Sequence, residues 1–95
     1  MALTGKQKRT LRALGHHLQA TVQVGQQGIT PAVVAATEQA LFDHELIKVK
    51  IAEGPEDRME AAEHLSRETQ SELAQVLGRT ALLFKKRAEN SKIDV

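Results

Sequence analysis

Cysteine is absent from the chain, which excludes a disulfide framework, a thiolate metal site and a thiol nucleophile. Tryptophan and tyrosine are absent as well, and Phe42 and Phe84 are the only aromatic residues. A platform that stacks unpaired bases needs exposed rings, so an RNA-recognition-motif type of surface is excluded. No run of about 18 apolar residues exists, so no membrane span is expected. Nor does the Met1-Ala2-Leu3-Thr4-Gly5-Lys6 start carry an apolar signal core with a cleavage site, so export is not expected. These absences fit a reducing cytoplasm, the compartment expected here. With two prolines and no Pro/Gly-rich linker, the 95 residues form one small domain whose helix and strand faces are all needed for packing.

What is present is a charge asymmetry that the net charge of +1 conceals. Residues 1–37 carry Lys6, Lys8, Arg9 and Arg12 and no acid, a balance of +4. Residues 38–72 carry ten acids against four bases, a balance of −6, and residues 73–95 return to +3. Basic ends around an acidic centre suit a polyanion partner on one surface, although solvated helix faces would look the same.

Periodicity predicts seven elements. A helix capped by Thr4 runs to about Leu14, with Leu11, Leu14 and Leu18 at inward spacing and Gly15 ending it. Ala20-Thr21-Val22-Gln23-Val24 alternates as a short strand. Thr30 caps a second helix that opens on Pro31 and runs to about His44, its inward stripe being Val33, Thr37, Ala40, Leu41 and His44. The clearest strand is Leu46-Ile47-Lys48-Val49-Lys50-Ile51, with Ile47, Val49 and Ile51 on one face and Leu46, Lys48 and Lys50 on the other. A Gly54-Pro55 turn precedes a third helix from about Asp57 to Thr69 that buries Ala61, Ala62 and Leu65.

Glu72 to Leu77 and Thr80 to Lys85 then form a hairpin about Gly78-Arg79, and a polar tail from Arg87 to Val95 is expected to fray. The fold class is α/β (α+β), in the order α-β-α-β-α-β-β, with helices packed on a four-stranded mixed sheet. Val22, Val24, Ile47, Val49, Ile51, Val76, Leu82 and Phe84 are expected on the helix-covered face. Lys48, Lys50, Gln75, Leu46 and Leu83 are expected on the other, which the first helix partly covers.

The feature with a chemical mechanism is Gly25-Gln26-Gln27-Gly28, between a strand and a capped helix. Glycines allow close backbone approach, and a helix start offers unpaired N–H groups and the positive dipole end; together these suit a phosphate. Two glycines also serve a plain turn. No Gly-Lys-Ser/Thr ending follows, so a nucleotide-hydrolysing phosphate loop is excluded, and the spacing does not fit a dinucleotide fingerprint. Lys48 and Lys50 could meet further phosphates, with Lys6, Lys8 and Arg9 adding to them.

No catalytic constellation emerges. His16-His17 is an adjacent pair whose rings diverge, His44 sits at a helix end, His64 lies among acids, and Ser66, Ser71 and Ser91 lack nucleophile context. Neither an enzyme activity nor a cofactor or metal is expected.

Six stretches together resemble a known family. They are Thr4-Gly5-Lys6-Gln7-Lys8, Leu14-Gly15-His16, Val24-Gly25-Gln26-Gln27-Gly28-Ile29-Thr30, Glu38-Gln39-Ala40-Leu41, His44-Glu45-Leu46-Ile47-Lys48-Val49-Lys50 and Val76-Leu77-Gly78-Arg79-Thr80. The pattern is similar to the CRM domain in its small bacterial YhbY-like form. The resemblance implies a non-enzymatic RNA-binding domain over 1–86, followed by a flexible tail over 87–95. It implies a fold similar to the C-terminal domain of translation initiation factor three, and a link in bacteria to large-subunit precursor rRNA. By position it carries an RNA surface of Gly25, Gln26, Gln27, Gly28, Lys6, Lys8, Arg9, Lys48, Lys50 and Arg79. The Gln26-Gln27 pair departs from the small or turn-forming residues usual in that loop. A monomer bound to RNA backbone is the resulting expectation. The alternatives are a protein-interaction module using the acidic third helix, and a KH-like binder of single strands.

Overall fold

A computed structural model describes residues 3–51, 58–89, 91 and 93. Its elements are α1 (Gly5–Gly15), β1 (Ala20–Val24), α2 (Pro31–His44), β2 (Leu46–Ile51), α3 (Arg58–Thr69), β3 (Glu72–Leu77) and β4 (Thr80–Phe84). The α-β-α-β-α-β-β order thus holds. The expected Gly54-Pro55 turn and the expected helix start at Asp57 lie outside the described residues.

Local chemistry explains most of the boundaries. Thr4 and Gln7 form a reciprocal capping box: the Gln7 N–H donates to the Thr4 hydroxyl at 3.1 Å, and the Thr4 N–H donates to Gln7 Oε1 at 2.8 Å. At α2, Thr30 accepts from the Val33 N–H at 3.2 Å, and Pro31 fills the first helical position, where its missing N–H costs nothing. α3 ends on Gln70 at φ 54°, with the Ser71 N–H reaching back to the Ser66 carbonyl, so a glutamine occupies the left-handed position that glycine usually takes.

The strands lie in the order β1-β2-β4-β3. β1 and β2 pair in parallel across the α2 crossover, whereas β4 pairs antiparallel with both β2 and β3. β1, β2 and β3 therefore run in one direction and finish at the same end of the sheet. α2 and α3 cover one face, over a cluster of Val22, Val24, Leu41, Ile47, Val49, Ile51, Ala62, Leu65, Ala81 and Leu83. α1 covers the other, over Leu11, Leu46, Ala74, Leu82 and Phe84.

That division corrects the expected faces of β4. Leu82 and Phe84 lie under α1, and Leu83 joins the α2/α3 cluster, because Leu83 is registered opposite Ile47 and Phe84 opposite Leu46. Residues directly opposite in a sheet share a face, so the strongly patterned β2 dictates the parity of its neighbour. Lys85 falls one residue past the end of β4, where its N–H donates to the Glu45 carbonyl at 2.8 Å.

Two expected inward residues face solvent. Leu14 is 46% exposed, since the buried line of α1 runs through Leu11 and Gly15, and His44 is exposed at the end of α2. Gly15 is required by packing and not by its backbone angle: a Cβ there would meet the Leu82 methyls at 2.7 and 2.9 Å.

Glu45 is the least ordinary residue in the fold. It is fully buried and stands between α2 and β2 at φ 63°, ψ −44°, a conformation that costs a non-glycine residue about 1–3 kcal/mol. Its Oε2 accepts the Arg87 N–H at 2.9 Å and the Ser91 hydroxyl at 2.7 Å, and its Oε1 lies 3.5 Å from the Arg87 guanidinium. The polar stretch after Lys86 thereby touches the α2–β2 corner at two residues, and Ile93 packs beside the α1 cluster.

Candidate nucleic-acid interface

The shared end of β1, β2 and β3 gathers most of the residues singled out in the sequence. After β1, residues 25–28 form a turn closed by the Gly28 N–H donating to the Gly25 carbonyl at 3.0 Å, with Gln26 and Gln27 exposed at its tip. Gly28 takes φ 74°, where a side chain would be strained; Gly25 does not take a positive φ. At the end of β2, the Ile51 N–H donates to the Arg79 carbonyl at 2.7 Å, so the β3–β4 hairpin tip is tied to this same end. Gly78 supplies that tip with φ 57°, as expected for a glycine-first connection.

Lys48 and Lys50 lie on the α1 face of β2, with Lys50 exposed and Lys48 half-buried. Lys50 is flanked across the sheet by Gln23 of β1 and Thr80 of β4. Lys6, Lys8 and Arg9 are exposed on α1, over this same face, and Arg12, which the expected set omits, is exposed on the same helix. None of Lys6, Lys8, Arg9, Arg12, Lys48, Lys50 and Arg79 is ion-paired to another described residue.

One expectation needs revision. The free amides assigned to the helix start are partly spent: Val33 donates to Thr30, Pro31 has no N–H, and the Gly28 N–H closes its own turn, which leaves Ala32 in the first turn of α2. The amides left without a partner among the described residues of the turn tip are those of Gln26 and Gln27. An anion would be held by two turn amides, the two glutamine side chains and the surrounding cations, with the helix dipole as a lesser contribution. Because the turn joins a strand to a helix, it differs from the two-helix setting of a KH loop.

Three basic residues of the third charge block, Lys85, Lys86 and Arg87, are engaged by the fold, whereas Arg79 of the same block is not ion-paired to a described residue. Lys85 Nζ donates to the Thr69 carbonyl at 3.0 Å, covering the end of α3, Arg87 pairs with Glu45, and Lys86 is also partnered. Sequence counting assigns these cations and those of α1 equally to a polyanion; only the contacts separate them. Among the described residues no group of three or more His, Cys, Asp or Glu is placed to hold a metal ion, and no helix is long and apolar enough to cross a membrane.

The two loop glycines separate by substitution. Gly28→Ala is expected to lower stability by about 1–2 kcal/mol through its positive φ. Gly25→Ala, with nothing within 4 Å of an added Cβ, should change stability by less than about 0.5 kcal/mol. Denaturant unfolding of the two variants checks this, and makes Gly25→Ala the clean probe of close approach by a ligand.

Comparison with known proteins bears on the family and the fold. The family model described as the CRS1 / YhbY (CRM) domain matches residues 3–85. The chain is 41% identical over 93 residues to "Probable RNA-binding protein PA4753" of Pseudomonas aeruginosa, covering 97% of this chain and 89% of that one. It is 40% identical over 94 residues to "Probable RNA-binding protein YqeI" of Bacillus subtilis, covering 98% of each. The solution structure of the hypothetical protein SAV1595 from Staphylococcus aureus superimposes with a TM-score of 0.86 at 39% identity, covering 98% of both chains.

Proposed function

The chain belongs to the CRS1/YhbY (CRM) domain family, and from that membership we propose that it is an RNA-binding protein without catalytic activity, acting in the cytoplasm as a monomer on the rRNA of large-subunit precursors. The observation that carries the binding site is the gathering of the glycine turn, Lys50 and Arg79 at one end of the sheet, with Lys48 two residues back on the same face of β2 and none of these cations ion-paired to a described residue. Turn amides and cations would neutralise phosphates, and Lys6, Lys8 and Arg9 would extend the positive surface along α1. The ribosomal target is what the family resemblance implies.

Gradient sedimentation of a cell extract tests the proposal. The protein should travel with large-subunit precursors and leave them after mild nuclease treatment. Comigration that survives complete RNA digestion would favour a protein partner, reached through the acidic α3. Absence from ribosomal fractions at low salt would refute the ribosomal target.

A further inference from the structure

One row of the sheet lies beyond the cover of α1. Gln23 is registered opposite Lys50, Lys50 opposite Thr80, and Thr80 opposite Leu77, which places these four in a line across β1, β2, β4 and β3. Opposed residues share a face, so all four stand on the α1 side, in a row about 14 Å wide at the usual strand spacing. α1 buries Leu46, Ala74, Leu82 and Phe84 but stops short of this row: Gln23 and Lys50 are exposed, Thr80 is half-buried and Leu77 is 64% exposed.

Leu77 has no evident folding role. It belongs to neither hydrophobic cluster and stands on an edge strand, two residues before Arg79. The Thr80 hydroxyl donates to its carbonyl at 2.9 Å, which steadies the backbone on which it is displayed. The acid of β3, Glu72, lies at the opposite end of the strand, opposite Phe84. An apolar side chain is thus displayed near Arg79, at one end of a row that Lys50 and Gln23 continue towards the glycine turn.

We infer that this row seats an unpaired nucleotide of the bound RNA, with Leu77 against the base face and Lys50 on the neighbouring phosphate. The inference rests on the RNA-binding reading above. Leucine has no donor or acceptor, so it contributes to binding only by covering apolar surface. In paired RNA the base faces are stacked inside the helix, and the accessible shallow groove displays hydroxyls and base edges; only an unpaired nucleotide offers a face. Backbone recognition alone leaves Leu77 without a partner, whereas a looped or bulged RNA supplies one.

The test is equilibrium binding to two RNAs of equal length, a perfect duplex and a hairpin with an internal unpaired loop, over a series of salt concentrations. Leu77→Ala should weaken binding to the looped RNA about fivefold, leave the duplex within twofold, and keep the salt slope unchanged. Lys50→Gln should weaken both RNAs and lower the slope. If Leu77→Ala matches the parent protein on both RNAs while Lys50→Gln does not, the nucleotide seat is wrong and the RNA-binding reading stands. An equal loss on both RNAs also overturns the seat. If neither variant changes binding, the seat falls and so does the place of Lys50 in the interface. Melting curves check that Leu77→Ala, at an exposed position, folds as the parent does.

Discussion

Glu45→Ala should destabilise the domain by about 3 kcal/mol and lower its melting temperature by about 15 °C, the largest loss expected from any single substitution outside the apolar core. Among the described residues, the Arg87 N–H, the Ser91 hydroxyl and the Arg87 guanidinium converge on this carboxylate. Removing it takes the acceptor from the Arg87 N–H and the counter-charge from its guanidinium, whereas the exposed Ser91 hydroxyl still has the Ile93 carbonyl at 3.2 Å. The Arg87 side chain is 23% exposed and can turn partly to water, which holds the expected loss at the low end for a broken buried pair. The substitution leaves the strained φ in place, so no relief of backbone strain offsets the loss.

Glu45→Gln should cost less, about 1–2 kcal/mol, because it keeps one acceptor and the side-chain volume but sets an amide N–H against a donor. Since the domain is small and its total stability lies in the range of about 5–15 kcal/mol, Glu45→Ala should be visibly marginal. Chemical and thermal unfolding of both variants decide the matter. A Glu45→Ala protein within about 0.5 kcal/mol of the parent would show that the corner is not held by this carboxylate.

The second large effect concerns affinity. Replacing Lys48 and Lys50 together by glutamine should weaken RNA binding about a hundredfold at low salt, about tenfold for each charged hydrogen bond lost. The slope of log affinity against log salt should become shallower by about 1.5, because two fewer counterions are released. Glutamine keeps part of the aliphatic stem, so the packing of half-buried Lys48 is largely retained. Arg67→Gln is the matched control: Arg67 is exposed on α3, which covers the opposite face, and its loss should leave the slope unchanged. Equal slopes for the double variant and the control would remove β2 from the interface.

The sequence reading succeeded where pattern and chemistry are local. Thr4 and Thr30 announced their helices through capping, Pro31 marked the first turn of α2, and the alternation of β2 set both of its faces. It failed where the deciding information is distant. Ala81-Leu82-Leu83-Phe84 is apolar throughout and buried on both sides, so no alternation exists to reveal its parity; registry with β2 supplies it. His44-Glu45-Leu46 could be recognised as a family trait, but the donors that make Glu45 necessary come from 42 and 46 residues further on.

The candidate site shows the same division. The glycine turn and the paired lysines are visible as motifs. That Lys85 and Arg87 are occupied by the fold, whereas Lys50 and Arg79 have no ion-pair partner among the described residues, depends on contacts no linear pattern contains. Leu77 carries no signal of its own in a strand whose Leu73-Ala74 and Val76-Leu77 pairs break alternation. Its exposure follows from where α1 ends over the sheet.

The most direct test is a map of amide chemical shifts during titration with a structured RNA. The perturbed residues should be Gln26, Gln27, Lys48, Lys50, Leu77 and Arg79, together with the first two turns of α1, while α3 stays unchanged. Perturbations centred on α3, with the glycine turn and the end of β2 silent, would contradict the account.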